Sequence, residues 1–452
     1  MNTKTFTTFI ITVLLLVSCG GGGGNQQATA SATETAVVET IEIAPIIPAI
    51  IDIAGNLENR KEFRLSDFGS SVQYIRLQPP EGIELGGIRD ILSNDEFLFV
   101  SARNGLFIYS ADGEYLHTLV SNEWEESGMP APGGGVGFMQ VDGILNNVDF
   151  LNGTLFYRTR QWSDTGATTG VQLNLFDVEN LSENPHLQPT FQRELATDRD
   201  LGIGSRHLLI DNESVFTANS ITISPFFTAL SIKNGDTLFT INNYHQPTIT
   251  AGAIPSVHSR FYRINGNLML QIAHNDTVFA LVPPNRVEPA FIMEWGEFRS
   301  DMNRRANGQN QDGKFLLQHW VETQHHIFIE YTMTESVGTS AWDRETVTHH
   351  YWAVFDKEAK TLTHHIAPPL PTTMEMPNAP RPMPIPLMFE NDIDLVGMPF
   401  FPRGVNHRGE MFMVFGKRQV QQQIATGKFD NSRLQALYNR MEEGSFYLMV
   451  VR

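Results

Sequence analysis

Nucleophile and metal chemistry have few footholds in this sequence. There is one cysteine, Cys19, which rules out an intramolecular disulfide and cysteine-based zinc or Cys/His nucleophile chemistry in the body of the chain. No G-x-S-x-G segment marks a serine on a strand-to-helix elbow. Gly20 to Gly24 and Gly133 to Gly135 do not lead from a strand into a phosphate-binding helix. Three histidine pairs, His325-His326, His349-His350 and His364-His365, could set three imidazoles on one sheet face, because side chains alternate along strands. A solvated histidine ladder needs no metal, and none is expected. Glu390, Asp392 and Asp394 lack a second carboxylate that the sequence can place opposite them, as glycoside hydrolysis would require, so they read as loop residues. What remains is a set of basic and amide residues in short groups: Arg89 and Asp90; Asn146 and Asn147; Arg206 and His207; His258, Arg260 and Arg263; Gln318 and His319; Phe401 and Arg403.

The elements that would carry these groups are short strands. From Gly86 to Leu119 three β-rich runs are separated by turn signals at Ser93-Asn94-Asp95 and Ala111-Asp112-Gly113. Leu106 to Tyr109 is a continuous apolar run, as a strand covered on both faces would be. Comparable meanders begin at Ile144, with an Asn152-Gly153 hairpin signal, and at His207, Val257, Phe315 and Met398. They recur roughly every 40–70 residues, a spacing that suits propeller blades lengthened by loops. The strand Val72 to Leu77 has no meander of its own, and the final run Ser445 to Val451 is also a strand. Pairing the two would close a ring. The predicted fold is therefore all-β: a six-bladed β-propeller of four-stranded antiparallel blades. A short helix over Ser432 to Glu443 precedes the closing strand, with Leu434, Leu437, Tyr438 and Met441 on one face. Two stretches read as long loops, Ser121 to Gly137 and the Pro-rich Pro368 to Pro386.

The start of the chain has a different character. Lys4 precedes an apolar run, Phe9 to Val17, too short to span a bilayer, and Leu16-Val17-Ser18-Cys19-Gly20 resembles a bacterial lipobox. Residues 1–18 are expected to be a lipoprotein signal peptide, 19–60 a lipid-anchored flexible tether, and 61–452 the propeller. Cys19 is the expected lipidation site. Within the tether, Thr40 to Ile53 carries Pro45 and Pro48, which argue against a central strand and for an extended segment lying over the propeller. Asp and Glu number 50 against 32 Lys and Arg, for a net charge of -18, so generic binding to nucleic acid is not expected.

Several segments resemble the Bacteroides-type six-bladed β-propeller lipoproteins, a largely uncharacterised group. They are Leu65-Ser66-Asp67-Phe68 followed by Val72 to Leu77, then Asn275-Asp276-Thr277-Val278-Phe279, and Gly397-Met398-Pro399-Phe400-Phe401-Pro402. The likeness runs from about Phe63 to the C-terminus; the group has no agreed catalytic residues to carry over, and no cofactor is expected. In a propeller the innermost strands line a central channel. Arg206, His207, His258, Arg260, Phe401 and Arg403 are then the expected ligand-binding residues at the channel mouth. Arginines there would hold carboxylates, and Phe400 or Phe401 would stack on a sugar face. The same side chains could instead satisfy buried backbone groups and pair with Asp90, Asp149 or Asp211. The expected protein is a lipid-anchored component of the bacterial cell envelope that binds a glycan, an anionic small molecule or an envelope protein without catalysis, nutrient uptake being one such role. The competing reading is a polysaccharide lyase or hydrolase with His207 or His258 as base.

Overall fold

The computed structural model describes residues 46–452 except 80, 82, 84, 86, 122, 131–135, 163–167, 180–190, 196–205, 219–223, 243–247, 249–259, 273–274, 283–285, 307–310, 338–344, 367–387 and 428–430. Cys19, His258 and the Pro-rich stretch therefore lie outside the described residues. Contacts separate residues 1–45 from the unit Ile46–Arg452, and the sheets belong to the second unit.

Six antiparallel sheets follow one another along the chain, in the order expected for a six-bladed β-propeller. The first blade runs through Ile88–Ser93, Phe97–Ala102, Gly105–Ser110 and Tyr115–Ser121. The inner strands of the second to fifth blades are Val136–Leu151, Arg206–Leu209, Arg260–Ile264 and Phe315–Glu322. The sixth blade is made from both ends of the chain: Gly404–Val405, Met411–Gly416, Phe446–Val451 and then Val72–Leu77 as its outer strand. Val72–Leu77 pairs antiparallel with Phe446–Val451 along its whole length, from Leu77 opposite Phe446 to Val72 opposite Val451. The ring closes where the sequence placed the closure.

The turns follow from residue chemistry. Asn152 and Gly153 have φ of 48° and 79°, and Asn265 and Gly266 have the same pair of values, the left-handed conformation that Asn-Gly hairpins adopt at little cost. In the first blade Asn94 Oδ1 accepts hydrogen bonds from the backbone N–H groups of Glu96 and Phe97 at 2.9 and 2.7 Å. Gly113 has φ of 90°, and a Cβ there would lie 2.2 Å from the carbonyl oxygen of Arg76. A side chain at this position would push the first blade away from the strand that closes the ring.

Among the described residues the apolar core divides into six clusters, each between two neighbouring blades. This division explains the run Leu106 to Tyr109. Phe107 and Tyr109 point to the cluster shared with the sixth blade, and Leu106 and Ile108 to the cluster shared with the second. Alternation persists, but both faces are apolar because both are covered.

Three features depart from the sequence reading. Ser121 to Gly137 is not simply a loop: Glu123–Pro130 pairs with the first part of Val136–Leu151 and gives the second blade a fifth strand. Strand pairing is satisfied by backbone groups, so a polar, Gly-rich sequence does not prevent it at a sheet edge. The chain also engages the ring before Phe63. Ala49–Asp52 adds in parallel to the outer edge of the fourth blade, and Arg60–Lys61 to that of the fifth, so these two sheets have five strands as well. This is the extended course expected of the segment up to Ile53, on an edge where Pro48 causes no conflict. Finally, the helix α1, Met302–Ala306, follows the fourth blade, and two helices, α2 at Lys417–Thr426 and α3 at Asn431–Arg440, lie between the second and third strands of the sixth. The periodicity marked α3. It missed α2 because Gln-rich KRQVQQQIAT has almost no apolar residues to show a period, and Gln423 is itself buried. Among the described residues no helix is long and apolar enough to cross a membrane.

Leu77 is fully buried between the sixth and first blades. Leu77→Ala is expected to cost about 2–5 kcal/mol in urea unfolding. Leu116→Ala, at a position 42% exposed, should cost under about 1 kcal/mol.

Candidate ligand site at the channel mouth

Arg260 opens the inner strand of the fourth blade, and Arg403 lies one residue before that of the sixth. The inner strand of the fifth blade carries His319 between them. Arg260 Nη1 is 2.9 Å from His319 Nδ1, and Arg260 Nη2 donates to the Gln318 carbonyl. His319 Nε2 lies 3.2 Å from the Pro402 carbonyl oxygen. A guanidinium can only donate and a carbonyl only accept, so His319 is neutral with its proton on Nε2. Burial, reinforced by Arg260 and Arg403, pushes the His319 imidazole down to about 3. Three adjacent blades thus meet around a histidine that contributes no charge of its own.

Arg403 is exposed. Its guanidinium lies over the Phe401 ring, 5.4 Å from the centroid, and has no hydrogen-bond acceptor among the described residues. The side chain keeps much of its surface accessible while protein surrounds it closely, as expected in a concave channel. That crowding lowers its affinity for a proton, and Glu330 works in the opposite direction. Glu330 makes no salt bridge with it; its carboxylate is 3.7 Å from His350 Nδ1. Arg89 is exposed near the start of the first blade's inner strand, and burial together with Arg103 lowers its proton affinity.

Phe401 does not offer a ring face to a sugar. It is 1% exposed, Phe400 is fully buried, and both belong to the core between the fifth and sixth blades, where Phe401 meets Trp352 edge to face. Its contribution is to support Arg403 from beneath. Arg206 and His207 fall on the inner strand of the third blade, His207 opposite Thr217, but their side chains lie outside the described residues, as do those of Asn146 and Asn147.

Arg263 takes the alternative role considered for these cations. Its Nη2 and Nε reach Asp149 at 2.7 and 3.3 Å, and Nη2 also donates to the Leu209 carbonyl. Asp149 accepts further hydrogen bonds from the backbone N–H of Leu209 at 2.8 Å and of Phe150 at 2.9 Å. One ion pair therefore joins the inner strands of the second, third and fourth blades. A comparable network, not apparent from the sequence, joins the fourth and fifth. Trp320 Nε1 donates to the Tyr262 hydroxyl, which donates to Glu322, which is paired with Lys357 at 2.7 Å. No linear spacing announces such contacts, because each partner comes from a different blade.

The remaining sequence candidates also act in the framework. Among the described residues no group of three or more His, Cys, Asp or Glu could hold a metal ion. His364 lies between the Tyr331 hydroxyl at 2.6 Å and the Asn56 carbonyl at 2.9 Å, and His365 accepts from the Phe63 N–H at 3.1 Å. These two histidines fasten the N-terminal segment to the fifth blade. Asp392 binds Ser66, Asp394 accepts from the Tyr74 hydroxyl, and Glu390 lies 3.8 Å from Arg64. The three carboxylates hold the segment leading into the closing strand.

The sequence profile of a family described as a domain of unknown function, DUF4933, matches residues 43–426. No curated protein matches the sequence. Among solved structures, a candidate exported protein of Bacteroides fragilis is similar at 12% identity with a TM-score of 0.50, covering 90% of this chain and 99% of its own. A DUF4221-family protein of Bacteroides vulgatus is similar at 9% identity and TM-score 0.37, covering 85% of this chain and 97% of its own. The soluble aldose sugar dehydrogenase of Escherichia coli, solved in its apo form, reaches 11% identity and TM-score 0.36 over 84% of this chain and 99% of its own. The first likeness shows a shared fold, and the resemblance to uncharacterised Bacteroides-type propellers holds.

Because the folded state holds His319 neutral, with its proton affinity far below that of the unfolded chain, the unfolded state gains the proton first as pH falls. The stabilisation is complete above about pH 6.5 and is lost towards about 3. The His364 imidazole is lowered as well, by burial. Urea midpoints should therefore fall between pH 7 and pH 5, and His319→Gln should flatten that dependence. A variant with the same pH slope as the parent would contradict the neutral assignment.

Proposed function

The chain belongs to the DUF4933 family, and from that premise we propose that it is a lipid-anchored protein of the bacterial cell envelope whose channel mouth binds an anionic ligand without turning it over. The observation that carries this reading is Arg403: a concave, closely surrounded guanidinium, supported by a buried ring and given no acceptor by the described residues. A carboxylate-bearing ligand would supply the missing acceptor, in the paired geometry that a guanidinium favours. The neutral His319 and Arg260 beside it add polar contacts without cancelling the charge. The net charge of -18 repels anions in general, so a local cationic mouth would select among them by shape and contact rather than by long-range attraction.

An acidic glycan is the ligand class that combines these features, and glycan uptake is a process such a protein would serve. Location rests on the lipobox around Cys19, and the assignment of the Bacteroides fragilis neighbour as exported agrees with it. A lipidated cysteine would hold the protein at a membrane without a spanning helix.

Titration calorimetry with oligogalacturonates and their neutral counterparts tests the ligand class. Binding should favour the acidic oligomer, weaken with salt, and fall at least about tenfold in Arg403→Ala, which corresponds to roughly 1.4 kcal/mol. Unchanged affinity in that variant would remove the proposal, and release of shortened or unsaturated products would replace it with the lyase or hydrolase reading. Cys19→Ala should move the protein from the detergent phase to the aqueous phase on Triton X-114 partition; retention in the detergent phase would contradict the anchor.

A further inference from the structure

At the far ends of the inner strands, away from Arg260 and Arg403, the first and sixth blades enclose a cleft of about 270 Å³. Its floor is apolar, formed by side chains that include Ile75, Leu98, Leu448 and Val450. Its rim comes from two turns, one following Ile88–Ser93 and the other following Gly404–Val405. Both turns are fixed by their own asparagines. Asn94 Oδ1 caps Glu96 and Phe97, while Asn406 Oδ1 accepts from the N–H groups of Arg408 and Glu410 at 3.0 and 2.9 Å.

The two turns align a serine, a histidine and an aspartate in one chain of hydrogen bonds. Ser93 Oγ is 2.9 Å from His407 Nδ1, and His407 Nε2 is 3.0 Å from Asp95 Oδ1. An ionised carboxylate only accepts, so the imidazole proton lies on Nε2 and the Nδ1 lone pair faces the serine hydroxyl. Hydrogen bonds from His407 and then Arg408 hold the Asp95 carboxyl below its usual range. Arg408 binds the same oxygen through Nε and Nη2 at 2.9 and 2.6 Å, which leaves Nη1 outside the pair. Asn94 Nδ2 likewise has no hydrogen-bond partner among the described residues. The cleft thus contains a hydroxyl, a base in reach of it and a group orienting that base, with the Arg408 and Asn94 donors among the residues that line it. His407 and Asp95 keep 27% and 75% of their side-chain surface accessible, so the array is open to solvent.

We propose that Ser93, His407 and Asp95 form an acyl-transfer triad that hydrolyses esters of compact, uncharged acyl groups. Ser93 Oγ bonds to the ester carbonyl carbon while its proton passes to His407 Nδ1, and Asp95 stabilises the resulting imidazolium through Nε2–H. Arg408 Nη1 and Asn94 Nδ2 stabilise the oxyanion. The ester C–O bond then breaks, and the departing alkoxide takes the proton from Nδ1 and leaves as the alcohol. Water repeats the attack on the acyl-serine, gives its proton to His407 and releases the carboxylic acid as Ser93 recovers its proton. The apolar floor receives the acyl chain. No linear motif announces this set, because Ser93 and His407 are 314 residues apart and meet only when the ring closes. The activity is separate from ligand binding at the channel mouth, and its fate does not bear on that reading.

The full-length protein, treated with a fluorophosphonate probe and digested, should carry one phosphonyl group, on Ser93. The same protein should hydrolyse p-nitrophenyl butyrate. Ser93→Ala should abolish both while leaving the melting temperature unchanged, and His407→Gln should slow both by about 10²–10⁴-fold. An unmodified Ser93 in folded protein would overturn the proposal, as would labelling at an equal rate in the His407 variant. Because Ser93→Ala removes only one hydroxyl, it keeps the test decisive if the His407 variant fails to fold.

Discussion

Everything in this fold depends on one pairing, that of Val72–Leu77 with Phe446–Val451. Each blade has an apolar surface on both sides, and each side is covered only by the neighbouring blade. A row of such sheets always leaves two uncovered faces, and the ring removes them. The strand Val72–Leu77 crosses from the beginning of the chain to its end and brings Ile75 and Leu77 against Ile91, Leu98 and Val100 of the first blade. Without it, the cluster between the sixth and first blades would be open to water. The carboxylates near residue 392, Ser66 and Tyr74, and the histidines that fasten residues 56–63, can be understood as the means of delivering this strand in register.

Both candidate sites inherit their geometry from that closure. At the mouth, Arg260, His319 and Pro402 come from three consecutive blades and meet because the inner strands are held at fixed angles around the channel. On the adjoining arc of the ring, Asp149 and Arg263 connect the second to fourth blades by a buried ion pair that also takes backbone hydrogen bonds. Such a pair adds little net stability compared with apolar packing, but removing one partner strands a buried charge. It therefore fixes the mutual placement of the blades more than it holds the molecule together. The cleft at Ser93 and His407 is the seam itself, the interface between the first blade and the blade made from both termini.

Much of the architecture was legible in the sequence because it is encoded locally. The Asn-Gly turns at 152–153 and 265–266, the doubly apolar run at 106–109 and the orphan strand at 72–77 each carry their own signal within a few residues. Strand addition at 49–52, 60–61 and 123–130 was not legible, since edge pairing draws on backbone groups that every sequence possesses. The helix at 417–426 was hidden by glutamines that bury without an apolar period. For the sites, the residue types at the inner-strand starts were readable, but their partners were not. Sequence could offer Arg263 either a ligand or Asp149; only the folded ring decides that it takes Asp149. Phe401 was expected to offer an exposed ring but is buried against Trp352, and nothing local in the sequence distinguishes the two.

The direct test of closure is hydrogen exchange measured by mass spectrometry on the full-length protein, following peptides that cover Val72–Leu77 and Phe446–Val451. If that pairing holds the ring, both segments will be strongly protected and will open together at the same rate, with the first-blade strand Phe97–Ala102 following them. If Val72–Leu77 exchanges quickly while Phe446–Val451 stays protected, the outer strand is dispensable and its pairing does not hold the propeller closed.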